Sequence, residues 1–146
     1  MVRIPPPIWM FLFLAIAWAA GRSRPAMLIA QRPNLGLALA AMGIGLALWA
    51  ISLFLAEGTE LKPASKANKT LVVRGPFRFT RNPMYLGLVL FSLGAAFWIG
   101  TGPMFAVPVL VFWVANRVHI PFEEEKMRRQ FGTAFDDYTH AVRRWI

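Results

Sequence analysis

Three short strings in this 146-residue sequence hold residue types that could act together chemically. The first is Gly75-Pro76-Phe77-Arg78-Phe79-Thr80-Arg81-Asn82-Pro83-Met84-Tyr85-Leu86-Gly87. The second is Pro121-Phe122-Glu123-Glu124, and the third is Phe131-Gly132 followed by Phe135, Tyr138 and Val142-Arg143-Arg144-Trp145-Ile146. The carboxylates accept hydrogen bonds, and Glu123, Glu124 and His119 are the side chains placed to take up a proton. His140 reads as peripheral. Each string also has a plain structural reading. Arg78 and Arg81 would anchor at lipid headgroups, Asn82-Pro83 would start a helix, and Glu123-Glu124 would sit at the positive end of a helix dipole. There is no cysteine, which excludes disulfides, thiolate metal sites and a cysteine nucleophile. Nothing singles out another covalent nucleophile or a metal site.

The elements that must position these strings are apolar. Hydrophobic residues make up 57% of the chain, charged residues 16%, and the mean hydropathy is +0.49. A soluble domain carries about 45–50% apolar and about 25% charged residues. A first block, Pro5 to Ala20, has Trp9 and Trp18 near its two ends, as suits headgroup-level tryptophans. Gly21-Arg22-Ser23-Arg24 after it is a poor cleavage site, so the block reads as a retained helix rather than a signal peptide. A second block, Asn34 to Ala56, is uncharged and long enough to cross hydrocarbon, with Asn34 as its N-cap. Gly36, Ala40, Gly43 and Ala47 form a small stripe along it that lets another helix backbone come close. Glu57 to Arg81 is a basic polar loop with a Gly75-Pro76 turn. Asn82-Pro83 opens a third block that ends at Ile99, with Asn82 as N-cap. Gly100-Thr101-Gly102-Pro103 is a tight turn, and a fourth block runs from Pro103 to about Val118 with a kink at Pro108. Glu123 to Phe135 then forms an interfacial or cytosolic helix with Met127 and Phe131 on one face.

The expectation is an all-α, polytopic membrane protein in a single domain, 1–146, with about four transmembrane helices and a cytosolic C-terminal helical tail. Residues 1–70 form its scaffold and 71–146 its functional half. With four crossings, thirteen of the sixteen basic residues fall on the side of the N-terminus, the 57–81 loop and the tail. The positive-inside rule puts that side, including both termini, in the cytoplasm. The basic residues lie between apolar blocks, where anionic headgroups lie, so no nucleic acid is expected as a partner. No obligate protein partner can be inferred.

In order and spacing the three strings resemble the isoprenylcysteine carboxyl methyltransferase and phospholipid methyltransferase family, over roughly Leu71 to Ile146. The resemblance implies S-adenosyl-L-methionine as cofactor. It also implies a lipophilic acceptor from the bilayer, either a prenylcysteine-type carboxylate or a phospholipid amine. It places Arg78, Arg81, Tyr85, Leu86, Gly87, Glu123 and Glu124 at the cofactor, and Arg81, Asn82, Tyr85 and Glu124 at the reaction. In that reading the carboxylates meet ribose hydroxyls or the methionyl ammonium, Arg78 or Arg81 meets the methionyl carboxylate, and Gly87 allows close approach. A carboxylate acceptor needs no base, whereas an amine needs one of Glu123, Glu124 or His119. The sequence departs from the family at Asn82, where histidine is usual and a proton-carrying role is lost. It departs also at Phe77, where tyrosine is common, and at Arg143, where the tail usually has proline. Sterol and steroid reductases share the hairpin and would imply NADPH, but the Glu-Glu and Phe-Gly spacing fits the methyltransferases better. A non-catalytic membrane scaffold is the third reading.

Overall fold

The computed structural model describes residues 4–23, 29, 31–56 and 71–146. Most of the basic 57–81 loop, from 57 to 70, lies outside the described residues, as do Arg3 and Arg24. The described chain is all-α. Helices α1 (Pro6–Arg22), α2 (Pro33–Ala56), α3 (Pro83–Ile99) and α4 (Gly102–Val114) form an apolar bundle. The shorter α5 (Ile120–Phe131) and α6 (Thr133–Ala141) follow at one end. A 3₁₀ turn, Gly75–Arg78, precedes α3, with Gly75 at φ +60°, where glycine is favoured.

Helix ends follow local chemistry, with corrections to the expected caps. Prolines near the first turn start α1, α3 and α4, where a missing N–H costs nothing. Asn34 is not an N-cap, because α2 already begins at Pro33. Asn82 holds the N-cap position of α3 but makes no capping bond there. Gly100 ends α3 in the left-handed conformation (φ 79°), its N–H donating to Ala96 O at 2.7 Å, and α4 begins two residues later.

The fourth block does not stop near Val118. Helix continues from Gly102 to Phe131, 30 residues, through a π turn at Ala115–His119. The helix runs through Pro108 without a break; its irregularity lies farther on, where the Ile120 N–H reaches back five residues to Ala115 O. Pro121 follows directly. It can offer no N–H to the carbonyl four residues before it, and the wider π register absorbs that loss. The expected Glu123–Phe135 helix is in fact two helices. Gly132, at φ 54°, ψ −128°, separates them in a conformation few other residues adopt.

The closest contact in the bundle is between α2 and α3. A Cβ added at Gly43 would lie 2.5 Å from Gly87 O, and one at Gly94 2.6 Å from Gly36 O, so the backbones touch along the small stripe. Ala40 and Ala47 line the same seam. The outward faces are apolar: Phe11 and Ile16 on α1, Leu37 and Leu48 on α2, and Val109 and Trp113 on α4 are exposed. Two helical runs, α2 and Gly102–Phe131, are long and apolar enough to cross a membrane, while α1 and α3 are apolar but shorter. So large an uncovered apolar surface suits a membrane-associated protein. Trp18 is exposed beside Arg22, as expected of a headgroup residue, whereas Trp9 turns its indole N–H into the bundle.

Gly43→Val should cost about 1–3 kcal/mol through overpacking at the α2–α3 seam. Gly45→Ala, whose added Cβ meets nothing within 4 Å, should cost almost nothing. Thermal unfolding in detergent compares the two, and equal effects would contradict this packing.

Candidate functional site

The three strings converge at one end of the bundle. Phe77, from the 3₁₀ turn, packs with Phe54 of α2 and with Phe135 and Tyr138 of α6. Met127 and Phe131 join them, so the face they share is turned onto a core. Tyr138 Oη donates to Phe77 O at 2.7 Å, tying α6 to the turn. Burial pushes the Tyr138 hydroxyl up from its ordinary pKa, with Arg81 opposing, so it remains a neutral donor.

Above this cluster the last residues of the chain cross the start of α3 as a strap. The Arg81 N–H donates to Arg143 O at 3.0 Å, Thr80 Oγ1 to Arg144 O at 3.1 Å, and Asn82 Nδ2 to the same oxygen at 3.0 Å. At the far end of the strap, Trp145 Nε1 donates to Asn116 Oδ1 in the π turn at 3.1 Å. The Trp145 ring lies 4.6 Å from that of Phe112. Glu124 holds the centre. Its Oε1 accepts from Arg81 Nη2 at 3.0 Å and from Arg144 Nε at 3.1 Å, and its Oε2 accepts from Arg144 Nη2. Arg81 Nη1 also donates to Thr139 O at 3.1 Å.

Glu123, one residue earlier, points elsewhere and accepts the Tyr85 hydroxyl at 2.8 Å. The Tyr85 ring stacks on His119, centroids 6.1 Å apart. Between these groups lies a cavity of about 70 Å³ bordered by Arg81, Asn82, Tyr85, Glu123, Glu124 and Met127, with aromatic rings on its other side. Arg81 Nε is buried beside it without a partner.

Five of the expected site residues therefore meet: Arg81, Asn82, Tyr85, Glu123 and Glu124. Three do not. Arg78 borders a separate surface groove of about 430 Å³ with Asp137. Leu86 is outside the cavity lining. Gly87 is spent on helix packing, since an added Cβ there would meet Gly43 O at 2.6 Å. Sequence reasoning missed Thr80, Asn116 and the Arg144–Glu124 pair. The only signal was the second arginine at Arg143-Arg144, and a position in a tail does not reveal its partner.

The donor set fits S-adenosylmethionine. A carboxylate would satisfy the orphaned Arg81 Nε, Glu123 supplies an acceptor, and the rings and Met127 offer apolar surface for a base. The cavity is smaller than the roughly 300–1,000 Å³ of ordinary small-molecule sites. Binding a whole cofactor therefore requires the lining to part.

Glu124→Ala leaves Arg81 and Arg144 without their shared carboxylate and should cost about 3 kcal/mol. It should also speed tryptic cleavage after Arg143 and Arg144. A variant with wild-type cleavage rate and melting temperature would show that the strap is held by other contacts.

The family model for phospholipid methyltransferases matches residues 32–134, more than two thirds of the chain. The match takes in α2 as well as the hairpin and stops short of the strap. Searches of curated proteins and of solved structures returned no match. The extent of that match gives one assignment: the chain belongs to the phospholipid methyltransferase family, a family of S-adenosylmethionine-dependent methyltransferases.

Proposed function

We propose that the protein moves a methyl group from S-adenosylmethionine to a lipophilic acceptor drawn from the membrane, a phospholipid amine or a prenylcysteine-type carboxylate. The reaction takes place at the cavity between α3, α5 and α6. The observation that carries this reading is the buried, unpartnered Arg81 Nε on the same cavity as Glu123. Arg81 would hold the cofactor's carboxylate, and Glu123 would accept from its ammonium or ribose hydroxyls. When bound, the cofactor supplies an electrophilic methyl on a sulfonium sulfur.

The chain's own residues then divide the work. Glu124 is paired with two guanidiniums, so it positions Arg81 and the strap. Glu123 is the cavity carboxylate able to accept a proton, with Tyr85 fixing its direction. Asn82 positions the strap through a single N–H bond, a task that needs a donor and no titrating ring, so the missing histidine does not disable the site. The apolar rings exclude water. Arg78, Leu86 and Gly87 act outside the cavity.

We place four crossings, α1 to α4, in one membrane domain, with the cavity and both termini on the cytoplasmic side. The basic residues clustered at that end support this orientation.

Calorimetry of the purified protein with S-adenosylhomocysteine should give saturable one-to-one binding, and NADPH should give none. Glu123→Gln, which loses the charge but keeps the shape, should weaken that binding roughly ten- to hundredfold. NADPH binding in place of S-adenosylhomocysteine would overturn the reading in favour of a reductase.

A further inference from the structure

The outer end of the strap lies against an exposed, apolar face of α4. The Trp145 ring packs on the Phe112 ring and against Tyr85, Ala115 and Ile120, and it stays partly exposed. Phe112 is itself exposed, in one run with Val109, Leu110 and Trp113. Ile146, beside Trp145, is 76% exposed. From Gly102 to Phe112 is about 15 Å of helix, about half of a hydrocarbon layer roughly 30 Å thick. In a helix that crosses from Gly102, Phe112 therefore lies within hydrocarbon, and the Trp145 ring lies beside it. Arg117 is exposed about 8 Å farther along, where a long cationic side chain extends to the headgroups.

The polar groups of this stretch are met inside the protein. Arg143 O accepts the Arg81 N–H, and Arg144 O accepts from Thr80 and Asn82. The Arg144 guanidinium donates to Glu124 and, at 3.4 Å, to Asn116 Oδ1. Trp145 Nε1 donates to that same Asn116 oxygen at 3.1 Å. In water none of these groups needs a protein partner. Next to hydrocarbon each does, because no solvent takes its place. The part of the indole left facing outward is apolar.

We propose that Trp145 and Ile146 form a bilayer-binding surface, which seats the outer end of the strap at the boundary of hydrocarbon and headgroups beside α4. The inference rests on the crossing proposed for α4, and it extends the lipid contact to a segment outside the four helices. Lipid is the occupant because the patch continues the outward side chains of α4 without a break. The Trp145 N–H is already paired, so the patch offers apolar surface alone. Arg144 lies between this surface and Glu124, so the bilayer steadies their ion pair from outside the cavity.

The chain has no cysteine, so a single introduced cysteine carries a nitroxide label at one known place. Three full-length variants would be labelled in phosphatidylcholine nanodiscs: Ile146→Cys, Val109→Cys on the outer face of α4, and His140→Cys on α6. Collision with oxygen, which concentrates in lipid, is compared with collision with a water-soluble nickel chelate. Labels at 146 and 109 should favour oxygen, and the label at 140 should favour nickel. Adding Trp145→Ala should move the 146 label to nickel while the 109 label stays in lipid, which shows that the bundle is still folded. Adding Trp145→Phe should leave both in lipid. Tryptic cleavage after Arg143 should speed about five- to tenfold in Trp145→Ala and match the wild type in Trp145→Phe. A 146 label that favours nickel while the 109 label favours oxygen would overturn the proposal and leave the crossing intact. So would a 146 label shielded from both agents, the mark of cover by a second protein chain. An unmoved 146 label in Trp145→Ala would overturn the anchoring role of the indole. A 109 label that favours nickel would overturn the α4 crossing and this inference with it.

Discussion

Glu124 is a single carboxylate shared by two guanidiniums, from Arg81 at the start of α3 and Arg144 near the end of the chain. It is 15% exposed, so water screens it little. Removing the carboxylate takes the shared partner from both guanidiniums, so Glu124 is the member on which the other two depend. The triad joins three segments that are remote in sequence, and the rest of the site takes its geometry from them. It fixes the Arg81 guanidinium so that its Nη atoms are occupied while its Nε is left buried and unpaired. It also sets the rotation of α5. Successive helical residues point about 100° apart, so once Glu124 is turned to the strap, Glu123 falls toward Tyr85.

The bundle provides the frame for this lock. Close backbone contact along Gly36, Gly43, Gly87 and Gly94 fixes α3 against α2 and so sets where Arg81, Asn82 and Tyr85 emerge. The π turn does the same for the other side. One extra residue in a turn shifts all that follows by about 100°. That shift lets one continuous helical run present His119 to the bundle interior and Glu123 and Glu124 to the cavity. The placing of His119 and of the Glu123-Glu124 pair thus depends on a single register change.

Much of this was legible in the sequence. The apolar blocks, the small stripe on α2, the Gly100 turn and the start of α3 at Asn82-Pro83 all rest on local rules, and local rules leave marks in residue order. The convergence of Arg81, Asn82, Tyr85, Glu123 and Glu124 followed from motif order. What could not be read depends on partners distant in sequence. Gly87 looks equally like a cofactor contact or a packing contact until Gly43 is seen opposite it. Pro121 looks like the end of a helix, because only the structure reveals that the preceding turn has widened to accommodate it. Asn82 looked like a cap or a lost catalytic group, and its actual bond is to a carbonyl 62 residues away. Trp9 has the spacing of an interfacial anchor, yet its N–H is buried beside His119.

The central claim is that the cofactor binds at the cavity bordered by Arg81, Tyr85, Glu123 and Glu124, next to the strap. Amide hydrogen exchange of the protein in nanodiscs, with and without S-adenosylhomocysteine, tests it most directly. The account predicts altered exchange concentrated in the residues that border the cavity, Arg81 to Tyr85 and Glu123 to Met127, and in the strap at Arg143 to Trp145. Saturable binding with no change at those segments, or with changes confined to α1 and α2, would contradict it.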